Sequence, residues 1–132
     1  MSVHVAYLDS SALVKLVIAE PESTMLRDWL GGRDRIASCA LVRTEVPRAV
    51  RHLGPDALAR ARTALRDIDV IALDDQLLAT AALLEPAILR SLDAIHLAAA
   101  ASLGADLDVV VRYDIRMLEG ARLLGLPTVR PT

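Results

Sequence analysis

The chain has 132 residues, 54% of them hydrophobic, a formal net charge of −2 and a single cysteine, Cys39. That length fits one domain, residues 1–132, able to bury a core without disulfides or a structural metal, and the apolar richness excludes a disordered chain. The charge gives no bulk basic surface for nucleic acid, one cysteine excludes a disulfide framework and a thiolate zinc site, and the three aromatics (Tyr7, Trp29 and Tyr113) are too few for a base-stacking platform.

Residues 3–8 form a short apolar, β-branched run read as a first strand. Asp9, Ser10 and Ser11 then cap a helix running to about residue 19. Residues 24–30 are helical until Gly31 and Gly32 end them, and 35–38 read as a weak strand. Residues 39–53 have helical period, with Val42, Val46, Ala49, Val50 and Leu53 on one stripe and Pro47 as a source of bending. Pro55 opens a helix over 56–66, 70–73 is a strand, and Asp74 and Asp75 begin a helix to about residue 85. Residues 91–103 are helical up to Gly104, and 108–113 hold the plainest strand, Val109-Val110-Val111. Asp114 starts a last helix that stops near Gly125, with a short strand over 127–130. Strand and helix alternate without a hairpin signal, which implies a parallel sheet covered by helices on both faces. No run of about 18 apolar residues is long enough to cross a membrane. The N-terminus reaches Asp9 before a signal-peptide core could form, so the expected location is cytoplasmic. The fourteen arginines against one lysine, Lys15, read as genome composition rather than as a motif.

In open α/β sheets, ligands bind beyond the carboxyl ends of the strands. Asp9 ends the first strand and Asp114 follows Val111 by three residues, so both fall at that edge. Each has a plain alternative as a helix N-cap, although Ser10 and Ser11 offer caps that would leave Asp9 free. Asp93 is the only ionised side chain between residues 91 and 105. In an otherwise apolar helix such a carboxylate needs a cation, a helix dipole or an ion pair with Arg90. Glu45 lies at the edge of its helix's apolar stripe; on its own it reads as solvated or paired with Arg48 or Arg51. His96 shares a helix face with Asp93 and reads as a buried structural histidine in preference to a metal ligand. The remaining aspartates, among them Asp74 and Asp108, read as surface.

Four carboxylates on four elements, with no His or Cys cluster, suit a hard cation such as Mg²⁺ or Mn²⁺. Such an ion binds a scissile phosphate, activates a water, and turns an acidic pocket into a phosphate site.

The blocks Tyr7-Leu8-Asp9-Ser10-Ser11-Ala12-Leu13-Val14-Lys15, Ser38 with Thr44-Glu45-Val46-Pro47-Arg48-Ala49, Leu92-Asp93-Ala94-Ile95-His96-Leu97-Ala98 and Val110-Val111-Arg112-Tyr113-Asp114-Ile115-Arg116-Met117 resemble the four blocks of PIN-domain ribonucleases. Their order and spacing are similar to those of the VapC toxins of bacterial VapBC toxin–antitoxin pairs, over nearly the whole chain. The resemblance implies a three-layer α/β/α sandwich with a central parallel β-sheet. It implies Mg²⁺-dependent endonucleolytic cleavage of RNA, often tRNA or rRNA, with Asp9, Glu45, Asp93 and Asp114 at the family's four acidic positions. It also implies a VapB-type antitoxin partner and a homodimer within the toxin–antitoxin complex.

Arg112 departs from the pattern, standing where the family usually has Thr or Ser. A guanidinium there contacts phosphate, or pairs with a carboxylate and weakens metal binding. Arg48, Arg116, Ser10 and Ser38 are the other expected contacts at the edge of the site. A dehalogenase-type phosphatase is disfavoured because Ser11 stands where its second Asp would be, and a receiver domain because Asp9 lacks an acidic neighbour. The remaining alternative is a PIN fold that binds RNA or protein without cutting.

Overall fold

The computed structural model describes residues 3–132. Five strands form one parallel sheet: β1 (Val5–Leu8), β2 (Arg35–Cys39), β3 (Asp69–Ile71), β4 (Leu107–Val111) and β5 (Thr128–Val129), in the spatial order β3-β2-β1-β4-β5. Seven α-helices flank it among the described residues: α1 (Ser10–Val17), α2 (Ser23–Leu30), α3 (Val42–Val50), α4 (Pro55–Arg66), α5 (Asp75–Ala82), α6 (Ser91–Ser102) and α7 (Leu118–Leu123). This is the three-layer sandwich expected.

Strand alternation builds the two apolar interfaces. Ala6, Leu8, Val109 and Val111 face α1 to α4, packing on Leu13, Val46 and Ala61 among others. Tyr7, Cys39 and Val110 face the opposite layer, on Leu77, Leu97 and Ala121 of α5, α6 and α7. All four β1 residues are buried, as a central parallel strand requires. With no Phe available, close packing depends on branched aliphatics and on alanines, which let α6 lie near the sheet with Ala98, Ala99 and Ala100 buried.

The expected helix over 39–53 is shorter than its periodicity indicated. Cys39 is the last residue of β2, fully buried, and α3 begins only at Val42. After Val50 the chain tightens into a 3₁₀ turn, Arg51–Leu53, which takes Leu53 off the stripe and leaves it half exposed. Val42, Val46 and Val50 are the buried positions, and Ala49 is exposed. The helix runs through Pro47. The helix after Asp74 stops at Ala82, ahead of Pro86. The last helix starts as a 3₁₀ turn, Ile115–Met117, before α7.

Gly54 joins the Arg51–Leu53 turn to α4 at φ 97°, ψ −174°, a region open essentially to glycine alone. A Cβ there would meet no atom within 4 Å, so any penalty is a backbone penalty. Gly54→Ala is therefore expected to cost about 1–3 kcal/mol, read as a lower urea midpoint at unchanged slope.

Candidate functional site

The chain order turns at β1: β2 and β3 lie to one side, β4 and β5 to the other. The carboxyl ends of β1 and β4 therefore flank a topological switch point, where an open α/β sheet leaves a crevice. A cleft of about 460 Å³ opens there, and Asp9, Glu45, Asp93 and Asp114 all line it. Elements as far apart in sequence as β1, α3, α6 and the segment after β4 thus bring the four expected carboxylates to one place.

Asp9 is 4% exposed. Its Oδ1 accepts from the Ala12 backbone N–H at 3.0 Å and from the Ser11 hydroxyl at 2.6 Å. The carboxylate is therefore the cap of α1, and Ser11 serves it rather than replacing it. Ser11 Oγ also accepts from the Tyr113 N–H at 3.2 Å, which ties the end of β1 to the segment after β4. Burial pushes the Asp9 pKa up; the Ser11 and Ala12 bonds and nearby His96 pull it partly back, while Asp114 adds to the rise.

Asp93 stands in the first turn of α6, and its Oδ2 is buried without a hydrogen-bond partner. Neither Arg90 nor any other cation closes on it as an ion pair among the described residues. Its pKa is also raised, by burial first; Arg116, His96 and Arg90 oppose the rise and Asp114 adds to it.

Asp114 is held differently. Its Oδ1 accepts from the Arg116 N–H at 2.9 Å, capping the 3₁₀ turn, and its Oδ2 accepts from Arg116 Nε at 2.5 Å. The bond from Arg116 holds its carboxyl below the usual range. Glu45 is half-buried, and its Oε1 accepts from His96 Nε2 at 2.8 Å. The sequence expectation of solvation or an arginine partner is thus corrected: the partner is a histidine of another helix. His96 is buried and bonded through both ring nitrogens, as a structural histidine would be.

Of the expected edge residues, Ser10 and Arg116 line the cleft, and Arg48, Ser38 and Arg112 do not. Ser38 is fully buried within β2, and Arg48 is exposed on α3. The Arg112 N–H still bonds to Val129 O at 3.2 Å, so the residue prolongs the β4 ladder; its side chain is buried, with Nε unpartnered and no ion pair to a carboxylate among the described residues. Asp108, read as surface, is half-buried and paired with Arg33.

Lys15 was not anticipated at the site, because nothing in its spacing marks it. It lines the cleft, but its Nζ is 2.8 Å from Glu22 and 3.4 Å from Glu20, and lies 4.6 Å from the centre of the Tyr113 ring. Arg90 and Arg116 complete the cationic lining.

As the side chains stand, no three His, Cys, Asp or Glu groups among the described residues close around a single point. The arrangement nonetheless fits a hard cation. The partnerless buried Oδ2 of Asp93 is an oxygen donor in need of one. The hydrogen bonds of Asp9 all go to Oδ1, leaving Oδ2 unused among the described residues. Mg²⁺ characteristically takes one or two carboxylates and keeps waters in its other positions, so Glu45 and Asp114 need not touch it directly.

The PIN domain family pattern matches residues 6–123. Ribonuclease VapC46 of Mycobacterium tuberculosis (strain ATCC 25618 / H37Rv) is 46% identical over 126 residues, covering 96% of this chain and 97% of the relative. Ribonuclease VapC47 of Mycobacterium tuberculosis (strain CDC 1551 / Oshkosh) is 45% identical over 130 residues, covering 95% of this chain and 96% of the relative. Among solved structures, VapBC2 from Rickettsia felis bound to a DNA fragment from their promoter matches with a TM-score of 0.66 at 14% identity, over 96% of this chain and 98% of the other, a likeness of fold.

The raised Asp9 and Asp93 pKa values predict how the metal-free protein responds to pH. A carboxyl whose folded pKa lies above its unfolded value contributes stability at low pH and loses it as pH rises through the folded value. Asp9→Asn keeps a good capping side chain and removes the buried charge. It is expected to melt a few degrees above the parent near pH 7.5, with the difference vanishing toward about pH 4. Adding Mn²⁺ should raise the parent's melting temperature more than the variant's. Scanning calorimetry across pH, with and without the metal, reads both effects.

Proposed function

The chain belongs to the PIN domain family, and on that premise we propose that it is a divalent-metal-dependent endoribonuclease, the toxin of a toxin–antitoxin pair. The observation that carries the reading is the partnerless, buried Asp93 oxygen in the same switch-point cleft as Asp9. Relatives that carry the name ribonuclease VapC, at 46% and 45% identity over nearly the whole chain, support the same reaction class. The substrate is RNA, with tRNA or rRNA the proposed targets. The partner is a VapB-type antitoxin, the active unit one domain that pairs as a homodimer within the complex, and the location cytoplasmic. No helix among the described residues is long and apolar enough to cross a membrane.

Asp9 and Asp93 would hold the cation, Mg²⁺ or Mn²⁺. When bound, it supplies charge neutralisation at the scissile phosphate and a lowered pKa for a water. Glu45 and Asp114 provide further carboxylate acceptors in the cleft, able to take a hydrogen bond from an attacking water and orient it. Arg90 places positive charge at the cleft for flanking phosphates, while Arg116 is paired with Asp114. Lys15 is committed to Glu20 and Glu22, so it contributes order to this end of the cleft rather than free charge.

RNA cleavage is expected with Mg²⁺ or Mn²⁺, to stop with EDTA, and to fall by about 100-fold or more in Asp9→Asn and in Asp93→Asn. Mapping RNA 5′ ends after incubation with each protein measures this. Cleavage that persists in both variants, from preparations free of host nuclease, would remove the assignment. A parent protein that binds RNA and Mn²⁺ without cutting would point to a binding module instead.

A further inference from the structure

Beneath the cleft, three polar side chains from three elements form a line that the proposed reaction does not itself consume. Tyr7 of β1 is fully buried, and its hydroxyl lies 2.7 Å from His96 Nδ1. His96 of α6 is 2% exposed, and its Nε2 lies 2.8 Å from Glu45 Oε1 on α3. The two rings meet edge to face, with centroids 5.9 Å apart and planes inclined by 75°. Cys39 Sγ, at 3.6 Å from Nδ1, closes the remaining side.

The direction of the last bond follows from the chemistry of the end group. An ionised carboxylate only accepts, so the hydrogen in the last bond sits on Nε2. Nδ1 is joined to the Tyr7 hydroxyl at 2.7 Å, a bond the pair can make with the hydrogen on either atom. Tyr7 thus anchors the far side of the ring and turns Nε2–H toward Glu45. This engages Oε1 and leaves Oε2 without a bond among the described residues. Histidine is an unusual choice here if packing alone is at stake. Its neighbours on the buried part of α6 are Ala94, Leu97, Ala98, Ala99 and Ala100, all apolar. A second polar group, Tyr7, is needed in the core to satisfy it.

We propose that the Tyr7–His96 pair is a positioning device for Glu45, holding that carboxylate at the cleft in the orientation a divalent cation and its waters require. The inference rests on the reading of Glu45 as part of the cation's surroundings. Hydrogen-bond partners that orient the carboxylates around a metal commonly govern affinity by about 10–100-fold.

The test is a double-mutant cycle on Mn²⁺ binding, followed by titration calorimetry on the purified full chain, with circular dichroism to confirm folding. His96→Leu should weaken binding by about 10–100-fold while Glu45 is present, and have little further effect once Glu45→Gln is in place. His96→Gln, which can offer an amide N–H near the Nε2 position, should restore much of the loss. Should His96→Leu fail to fold, Tyr7→Phe keeps the ring and deletes only the hydroxyl; it should cost about fivefold, again only with Glu45 present. Equal losses in both backgrounds would overturn the inference and leave His96 and Tyr7 as core residues. Parental affinity in His96→Leu, with Glu45→Gln weakened, would overturn the positioning role alone and leave the reading of Glu45 standing. Parental affinity in Glu45→Gln would overturn both.

Discussion

Asp9 follows directly on a strand whose four residues are all buried, and it is itself almost inaccessible. An ionised carboxylate in that position is stable only if hydrogen bonds or a cation compensate for the water it has lost. The protein supplies part of this from the start of α1: the Ala12 backbone N–H and the Ser11 side-chain hydroxyl both converge on one oxygen. The second oxygen has no such bond among the described residues, and Asp93 too has an oxygen that is buried and unpartnered there. Both carboxyls are consequently harder to ionise than free aspartate. The fold keeps this cost at the one edge where a parallel sheet with a strand-order reversal leaves room for a ligand.

The other two carboxylates are compensated by cations or donors of the chain itself. Asp114 is engaged at both oxygens by Arg116, through backbone and guanidinium, and Glu45 by the buried His96. The cleft therefore contains two kinds of acid: a pair with unmet demand and a pair already held. Mg²⁺ binding through one or two carboxylates with retained waters matches that division better than four equal ligands would. Lys15 shows the same logic in reverse. Two glutamates and the face of Tyr113 satisfy its charge, so it braces the start of α2 and the Tyr113 segment against α1.

The architecture was legible because its signals are local. An apolar run ending in Asp9, the Val109-Val110-Val111 strand and the capped, glycine-stopped helices between them indicate a parallel α/β sheet. Asp93 could be singled out because it is the one charge in an apolar helix. Boundaries were less legible: the period that marks α3 extends back over Cys39, which the sheet claims because its side chain is needed against α6. The partner of Glu45 was not legible, since His96 lies 51 residues away and nothing local to either residue records the bond. Arg112 was misplaced for a related reason. Its backbone still belongs to the β4–β5 ladder, so its side chain is buried with the strand and does not line the cleft.

The scarcity of aromatics takes on a structural meaning once each ring is located. Tyr7 is committed to His96 inside the core. Tyr113 donates its hydroxyl to Pro131 O at 2.7 Å and carries Lys15 over its face. The Trp29 ring is covered by the Arg33 guanidinium at 3.7 Å. None of the three lines the carboxylate cleft. The cleft is lined by carboxylates, small hydroxyls, Lys15 and the arginines at positions 90 and 116, and its one ring, His96, is 2% exposed and so offers no face for a base to stack on. Stacking gives affinity with little regard to backbone geometry; phosphate contacts reward a particular path of the backbone. Under the proposed function, discrimination between RNA strands would rest on the backbone shape the cleft can seat, and the −2 balance of the whole chain says little about that local preference.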